Sequence, residues 1–283
     1  MNSSPGRAPW VHVLDMPVHH VVVAGVRIAY RRSGPRGAAP VLLVHGRAAH
    51  TGWWFAVAPG LARHRDVAIV DLSGHGDSDH RLTYAPGTWA DELAGVIADL
   101  DAGPADVVGH SMGGQLAVYL AARSPGSVRT VVMVDSRVGR EPYRAPAREI
   151  VRYYPTIDAA VDNFRLRPRA TTAPAALLDS VARNGLRETE EGWRWKFDPR
   201  SGQPFTAQDI EEAIAASRCP IGVVYGELSE LANNASADHI ASRTGREVPR
   251  AGVSDAHHHV PLDRGDACLS AIESLLTHLT PTP

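Results

Sequence analysis

The chain has 283 residues, 44% of them hydrophobic, with a formal net charge of −2. This length can bury a full core, in one large domain or in a domain with an insertion, and the near-neutral charge excludes the basic character of proteins that bind nucleic acid or anionic membranes. Two cysteines, Cys219 and Cys268, are too few for a disulfide framework, and no apolar run approaches a signal peptide or a membrane span. We therefore expect a soluble, cytoplasmic protein.

The N-terminal half of the chain alternates strand-like and helix-like patterns. Residues 19–31 alternate polar and apolar side chains around Gly25, which is typical of two antiparallel strands joined by a tight turn. Residues 41–44, Val-Leu-Leu-Val, fit a strand that is covered on both faces. The same reasoning predicts strands at residues 67–71, 105–108 and 128–134, and helices at residues 88–100 and 115–122.

The pattern changes from residue 139 to about residue 217, where prolines and arginines are dense and helical stretches replace buried strands. We interpret residues 139–217 as a helical cap insertion over a core made of residues 1–138 and 218–283. Strand character returns at residues 220–225 and 247–253, and an amphipathic helix at residues 263–279 closes the chain. This alternation predicts an α/β fold with a mostly parallel, doubly wound sheet, whose active groups collect at the carboxyl ends of the strands.

A serine between glycines follows the predicted strand at residues 105–108. Residues 109–113 read Gly-His-Ser-Met-Gly and fit the pattern G-x-S-x-G. A strand that turns directly into a helix at a serine must bend sharply, so the flanking positions need small residues. The bend would expose the Ser111 hydroxyl, and the Met112 N–H would point to where negative charge develops when a carbonyl is attacked. The pattern also occurs by chance in glycine-rich turns. A catalytic role for Ser111 therefore depends on whether the chain also supplies an oxyanion hole, a base and an acid.

The predicted strand at residues 41–44 ends in His45-Gly46-Arg47. A glycine at this place lets the backbone approach a ligand closely, and the next N–H is suited to donate to an oxyanion. We therefore predict the Arg47 N–H as the second donor of an oxyanion hole, beside that of Met112. The alternative is an ordinary turn at a strand end.

Two stretches carry side chains of the types that bind metals. Asp71, His75 and Asp77 surround a glycine-rich loop, but their spacing matches no ligand set, and we predict a loop packed by its own hydrogen bonds. The triplet at residues 257–259 is all histidine, and three consecutive residues cannot easily aim at one ion. We expect neither a metal nor another cofactor.

A serine hydroxyl needs a base near neutral pH, and the base needs an acid that orients it. The base is expected in a loop after the last strand, where His257, His258 and His259 are the candidates. The order of serine, acid and histidine, the His-Gly oxyanion loop, the Gly-His-Gly-Asp-Ser loop and the G-x-S-x-G elbow together resemble the α/β-hydrolase superfamily. The similarity runs from about residue 18 to residue 279, with residues 139–217 in the place of the family's cap domain.

The resemblance implies which histidine is the base, but it leaves the acid open. In relatives the catalytic histidine commonly precedes x-V-P-L-(D/E), which is the position of His258, with His257 in reserve. The acid usually stands three residues after the glycine that ends the strand following the cap, and that position is Ser229 here. Asp135, at the end of the strand after the elbow helix, and Glu230 are the alternatives. We favour Asp135 because a strand end fixes the direction of its side chain.

These residues predict a serine hydrolase that acts on a small apolar ester, lactone, thioester or carbon–carbon bond next to a ketone. A cofactor-free lyase, cyclase or oxygenase, in which serine and histidine only move protons, is an alternative, as is a non-catalytic ligand receptor. We expect a small apolar molecule as partner, without nucleic acid or membrane, and self-association stays open. The residues predicted to contact the substrate are His45, Gly46, His110, Trp54, Phe164, Trp193 and Trp195.

Overall fold

The computed structural model describes residues 16–139, 150–202 and 205–280. The strands of this part of the chain are β1 (Val18–Val23), β2 (Val26–Ser33), β3 (Pro40–Val44), β4 (Asp66–Val70), β5 (Ala105–His110), β6 (Val128–Val134), β7 (Leu186–Thr189), β8 (Gly192–Trp195), β9 (Ile221–Gly226) and β10 (Arg250–Val253). The helices are α1 (Ala58–Leu61), α2 (Pro86–Leu100), α3 (Met112–Arg123), α4 (Ile157–Val161), α5 (Ala175–Asn184), α6 (Ala207–Ala216), α7 (Asn234–Thr244), α8 (Val260–Asp263) and α9 (Gly265–Leu279).

Eight of the strands form one sheet in the spatial order β1-β2-β4-β3-β5-β6-β9-β10. Strands β1, β2 and β4 pair antiparallel, and every pair from β4 to β10 is parallel. The β1–β2 hairpin turns at Ala24 and Gly25, both of which have positive φ. The predicted hairpin and the mostly parallel, doubly wound sheet are therefore confirmed.

Side chains that alternate along the parallel strands fill two cores, one on each face of the sheet. In β3, Leu42 and Val44 join the core under α2, α3, α6 and α7, whereas Val41 and Leu43 join the core under α1, α8 and α9. All four side chains are fully buried, as the all-apolar run predicted. Because both faces are covered, the parallel strands expose functional groups only at their ends.

The chain leaves the sheet after β6 and returns at the neighbouring strand β9, so the residues between them form an excursion from the sheet. Its last helix, α6, buries Ile210 and Ile214 in the core that contains α3. The predicted cap range of 139–217 therefore includes one helix that packs in a core layer. We call residues 150–202 the insertion. It contains α4, α5 and the β7–β8 hairpin, so its described part is not purely helical.

Some predicted features lie outside the described residues, which omit 1–15, 140–149, 203–204 and 281–283. The first residues of the predicted core and the start of the predicted cap belong to these ranges. Within the described chain, no helix combines the length and the apolar character that crossing a lipid bilayer requires.

Candidate active site

Ser111 lies in a sharp bend between β5 and α3. Its φ of 55° and ψ of −119° are unusual for a residue with a side chain. Its main-chain N–H donates to Val134 O at 2.9 Å, which fixes the bend against the end of β6. The side chain makes no capping bond to α3, although Ser111 is the N-cap residue of that helix. The hydroxyl is therefore not used to hold the helix.

The glycines around Ser111 are required by close contacts between backbone segments. A Cβ at Gly109 would lie 2.2 Å from the carbonyl carbon of Gly113, and a Cβ at Gly113 would lie 2.4 Å from Val44 O. A Cβ at Gly114 would lie 2.1 Å from Ser136 Oγ. The structure thus supplies the physical reason for small residues that the sequence pattern suggested.

Asp135 follows β6 directly and is fully buried, with a φ of 46°. Its Oδ1 lies 2.8 Å from His258 Nδ1, and its Oδ2 accepts a hydrogen bond from Gly226 N–H at 2.9 Å. Ser229 Oγ–H donates to Oδ1 at 2.7 Å. Glu230, the alternative acid, is exposed and makes no hydrogen bond or ion pair with His258 among the described residues. Asp135 is thus the carboxylate that the structure brings to His258.

Burial disfavours the charged forms of both partners in this pair. Burial raises the pKa of Asp135 to about 7, against the effect of the hydrogen bonds from Ser229 and Gly226. Burial, together with the neighbouring His259 and Arg137, lowers the pKa of His258 to about 3. His258 is therefore neutral at pH 7, with its Nδ1–H donated to Asp135, which leaves the lone pair on Nε2.

The three consecutive histidines occupy different environments. His258 is buried, and its carbonyl oxygen accepts a hydrogen bond from the Nε2–H of His110, the residue before the serine, at 2.9 Å. His259 Nε2–H donates to Pro168 O at 3.0 Å, in the insertion. The His257 ring lies 3.2 Å from Leu228 O and is partly exposed. Only His258 contacts a buried carboxylate through its ring.

Two buried histidines, His45 and His75, stabilise the predicted oxyanion loop through hydrogen bonds to its main chain. His45 Nδ1–H donates to Gly46 O at 2.7 Å, and its Nε2 accepts from Leu72 N–H at 3.1 Å. His75 Nε2 accepts from Ala48 N–H at 3.3 Å, and Ala48 has a positive φ of 53°. The loop that contains Arg47 thus has a fixed path immediately beside the elbow.

Close packing joins this loop to the elbow. A Cβ at Gly46 would lie 3.1 Å from His110 Nδ1 and 3.2 Å from Ser111 Cβ. Met112 is the first residue of α3, so its main-chain N–H has no hydrogen-bond acceptor within the helix. The segments that carry both predicted oxyanion donors therefore meet at Ser111.

The loop after β4 is packed by its own hydrogen bonds, as the sequence suggested. Asp71 Oδ1 accepts from Thr51 N–H at 2.7 Å, and its Oδ2 accepts from Asp77 N–H at 2.9 Å. The Ser78 hydroxyl donates to Asp71 O at 2.5 Å. In the described part of the chain, no group of three or more histidine, cysteine and acidic side chains is arranged to hold a metal ion.

Of the residues predicted to contact the substrate, four are buried, two line a cavity, and one does neither: His45, Gly46, Trp54 and His110; Phe164 and Trp195; and Trp193. His45 and Trp54 have no exposed surface and His110 has almost none, so they support the site from within. Phe164 and Trp195, whose rings lie 5.6 Å apart, line a narrow cavity next to the oxyanion loop, whereas Trp193 exchanges main-chain hydrogen bonds with Tyr154. Other residues around this cavity are Ala48, Ala49, His50, Trp53, Gly76, Gly185, Lys196 and Phe197.

Sequence reasoning missed the contacts of three residues at the site, Ser229, Asp263 and His75. It treated Ser229 only as a departure from the family pattern, yet its hydroxyl contacts Asp135. It gave Asp263 no role beyond the motif, yet this carboxylate accepts hydrogen bonds from the N–H groups of His257 and Thr172 and from the Thr171 hydroxyl. It also missed the support of Ala48 by His75. The downstream motif Val-Pro-Leu-Asp was the only signal that could have pointed to Asp263.

Comparisons with known proteins agree with this architecture. A family model described as alpha/beta hydrolase fold matches residues 39–185, about half of the chain. The chain is 33% identical over 155 residues to the 2-hydroxy-6-oxo-2,4-heptadienoate hydrolase of Pseudomonas putida, a match that covers 48% of this chain and 56% of that protein. It is 28% identical over 264 residues to the 2-(acetamidomethylene)succinate hydrolase of Mesorhizobium japonicum, covering 85% of this chain and 89% of that one.

The alignment with the Pseudomonas relative thus spans only about half of that protein's length. A solved structure, the thioesterase domain from the curacin biosynthetic pathway, superposes with a TM-score of 0.77 at 23% identity. That superposition covers 91% of this chain and 99% of the other, and at this identity it shows the fold alone. The sheet order, the serine elbow and the family match lead to one conclusion: this chain belongs to the alpha/beta hydrolase fold family.

Proposed function

We propose that the chain is a serine hydrolase in which Ser111, His258 and Asp135 form the catalytic triad. The observation that carries the proposal is the 2.8 Å contact between His258 Nδ1 and Asp135 Oδ1, at the edge of the sheet that also bears the strained Ser111 bend. A histidine oriented by a buried carboxylate is the arrangement that activates a serine. Both relatives described above are named as hydrolases, which agrees with this reaction class.

In the proposed reaction, Ser111 Oγ attacks the substrate carbonyl while His258 Nε2 takes the hydroxyl proton. The Nδ1–H of His258 stays hydrogen-bonded to Asp135, whose charge stabilises the imidazolium. The proton then passes to the leaving group as its bond to the acyl carbon breaks, leaving an acyl-serine ester. A water molecule attacks this ester with His258 again as the base, which releases the acid and restores the serine.

The negative charge on the attacked oxygen is stabilised by main-chain N–H groups. We assign these donors to Met112, at the positive end of the α3 dipole, and to Arg47, in the loop supported by His45 and His75. Main-chain donors in a packed loop need little reorganisation as charge develops. Loss of one such donor typically lowers kcat by about 10²- to 10³-fold.

We also propose that the insertion covers the site as a cap and shapes a preference for small apolar substrates. Its residues Phe164 and Trp195, together with Trp53 of the core, give the cavity beside the oxyanion loop an aromatic wall. Such a wall favours an apolar acyl or alcohol group. Lys196 adds a cationic side chain at the same cavity, although its ammonium already pairs with Asp77 at 2.7 Å.

The test combines covalent labelling with turnover. Purified protein is exposed to a fluorophosphonate probe and assayed with a panel of p-nitrophenyl esters, thioesters, lactones and β-diketones, with Ser111→Ala as the matched control. We expect labelling at Ser111 and a burst of acyl-enzyme, both of which the variant loses. Turnover without labelling or burst would favour the proton-shuttle alternative, and ligand binding without turnover would favour a receptor.

A further inference from the structure

Ser229 occupies the position at which the resemblance leads one to expect the acid. It lies in the loop after β9, where its N–H donates to Gly226 O at 2.9 Å. Its hydroxyl donates to Asp135 Oδ1 at 2.7 Å and accepts from Leu231 N–H at 3.1 Å. The hydroxyl thus connects the loop after β9 to a carboxylate that follows β6, 94 residues away in the sequence.

We infer that Ser229 is a positioning residue that holds the Asp135 carboxylate in the orientation in which it accepts the His258 Nδ1–H. This inference rests on the proposed function for its effect on catalysis. Gly226 N–H fixes Oδ2, and Ser229 and His258 both contact Oδ1, so a donor is aimed at each carboxylate oxygen. Without the Ser229 hydroxyl, His258 would be the one remaining hydrogen-bond donor to Oδ1 among the described residues. One restraint on the rotation of the Asp135 carboxylate would then be lost.

The surroundings of Asp135 explain why this hydroxyl matters. Asp135 is fully buried, and burial raises its pKa. The groups that act on the pair electrostatically are His259, which favours the ionised carboxylate, Asp263, which opposes it, and Arg137, which lowers the pKa of His258. Burial raises the pKa of the Cys268 thiol, and the charge of Asp135 adds to this shift. The charge of Asp135 is thus stabilised largely by hydrogen bonds, of which Ser229 supplies one.

Removal of the Ser229 hydroxyl should change the pKa of the Asp135–His258 pair in a defined direction. A hydrogen bond to a carboxylate favours its ionised form, so Ser229→Ala raises the pKa at which the Asp135–His258 pair takes up a proton. The active form of the pair is then lost at higher pH than in the wild type. A hydrogen bond to a charged group corresponds to a shift of about one to two pH units in the acid limb of kcat/KM.

The experiment compares Ser229→Ala with Ser229→Thr, which keeps a hydroxyl, and with Ser254→Ala. Ser254 is exposed, lies in the loop after β10 and donates to Glu227 Oε2 at 2.9 Å, so it controls for the loss of a serine–carboxylate bond away from the site. We measure kcat/KM for a p-nitrophenyl ester from pH 5 to pH 9. Only Ser229→Ala is expected to move the acid limb upward, with a fall in kcat of about tenfold.

A second measurement does not depend on turnover. The proton between His258 Nδ1 and Asp135 gives a downfield nuclear magnetic resonance line, which His258→Ala identifies by its loss, and its titration midpoint should move in Ser229→Ala. If the midpoint stays in place in a folded Ser229→Ala protein, Ser229 only orders the loop and the inference is wrong. The two proposals can also fail separately. If the midpoint moves in Ser229→Ala but the Ser111→Ala variant still hydrolyses the ester, the role of Ser229 is supported and Ser111 is rejected as the nucleophile.

Discussion

The carboxyl edge of the sheet and the insertion are held in place by different kinds of contact. At the edge, backbone segments touch so closely that Gly109 and Gly113 have no room for a Cβ, and Ser111 and Asp135 adopt positive φ. The insertion instead meets the core through polar contacts such as Lys196 to Asp77 and through buried apolar side chains such as Leu177 and Val181. The edge is therefore fixed mainly by close contacts between main-chain segments, whereas the insertion is held mainly by its side chains.

The Ser111→Ala variant provides the largest expected effect at the edge. The hydroxyl makes no capping bond, so its removal should leave the fold intact and abolish the nucleophile. We expect kcat to fall by about 10⁴-fold or more, with an unchanged melting temperature. Steady-state kinetics and thermal unfolding of the same preparation check both parts. Ester turnover close to that of the wild type would show that Ser111 is not the nucleophile.

Asp135→Asn tests the acid at the same edge. The amide would favour the wrong imidazole tautomer of His258, and we expect kcat to fall by up to about 10⁴-fold. Glu230→Gln is the matched control, because Glu230 is exposed and the lost charge faces water. Kinetics of the two variants side by side decide the assignment. A mild Asp135→Asn and a crippled Glu230→Gln would place the acid in the loop after β9.

Gly113→Ala tests whether the main chain fixes the edge. The new Cβ would lie 2.4 Å from Val44 O and 2.6 Å from His45 O, and these backbone atoms can move only by distorting β3. We expect a loss of about 1–3 kcal/mol in the free energy of unfolding, measured by chemical denaturation. Gly126→Ala is the control, since no atom lies within 4 Å of its added Cβ. Equal stability of the two variants would contradict the steric argument.

Asp263→Asn addresses the attachment of the insertion and should have the smallest effect. Asp263 is buried in α8 and accepts hydrogen bonds from Thr172 N–H at 3.0 Å and His257 N–H at 2.8 Å. We expect a several-fold rise in KM with a smaller change in kcat, corresponding to about 1 kcal/mol. Hydrogen exchange at the Thr172 amide should also become faster. The exposed Asp266, in the first turn of α9, supplies the control variant Asp266→Asn.

Unchanged exchange at Thr172 in Asp263→Asn would mean that other contacts hold this part of the insertion. His259 Nε2–H to Pro168 O and the Thr172 hydroxyl to Asp255 O are the neighbouring bonds that could do so. In that case the contrast between a fixed edge and a side-chain-held insertion would be weaker than the structure indicates.

Features that depend on local patterns could be predicted from the sequence. The all-apolar β3 and the serine between glycines have patterns of a few consecutive residues, and both appear where expected. The contact between Ser229 and Asp135 could not be predicted, because it exists only when the ends of β6 and β9 lie side by side. Spacing in the chain carries no sign of this pairing.

Two elements escaped prediction for reasons of composition. Helix α7 buries only Ser236, Ala237 and Ile240, so its apolar face is too weak to give a helical period. The β7–β8 hairpin turns at Glu190 and Glu191, directly before Gly192 with its φ of +115°, within a segment interpreted as helical. In both cases packing against the rest of the molecule, and not the local pattern, determines the structure.

Two groups of hydrogen bonds between the insertion and the core have a consequence for engineering. Thr172, in the middle of the insertion, donates its N–H to Asp263 in α8. Nearer the end of the insertion, Arg187 donates to Gly76 O at 2.9 Å and Asp198 N–H donates to Gly74 O at 2.7 Å, both in the loop after β4. Residues 150–202 are therefore not an exchangeable cassette. A chimera that takes this segment from a homologous protein must also take the matching residues of α8 and of the loop after β4. Otherwise these hydrogen bonds between the insertion and the core will be lost.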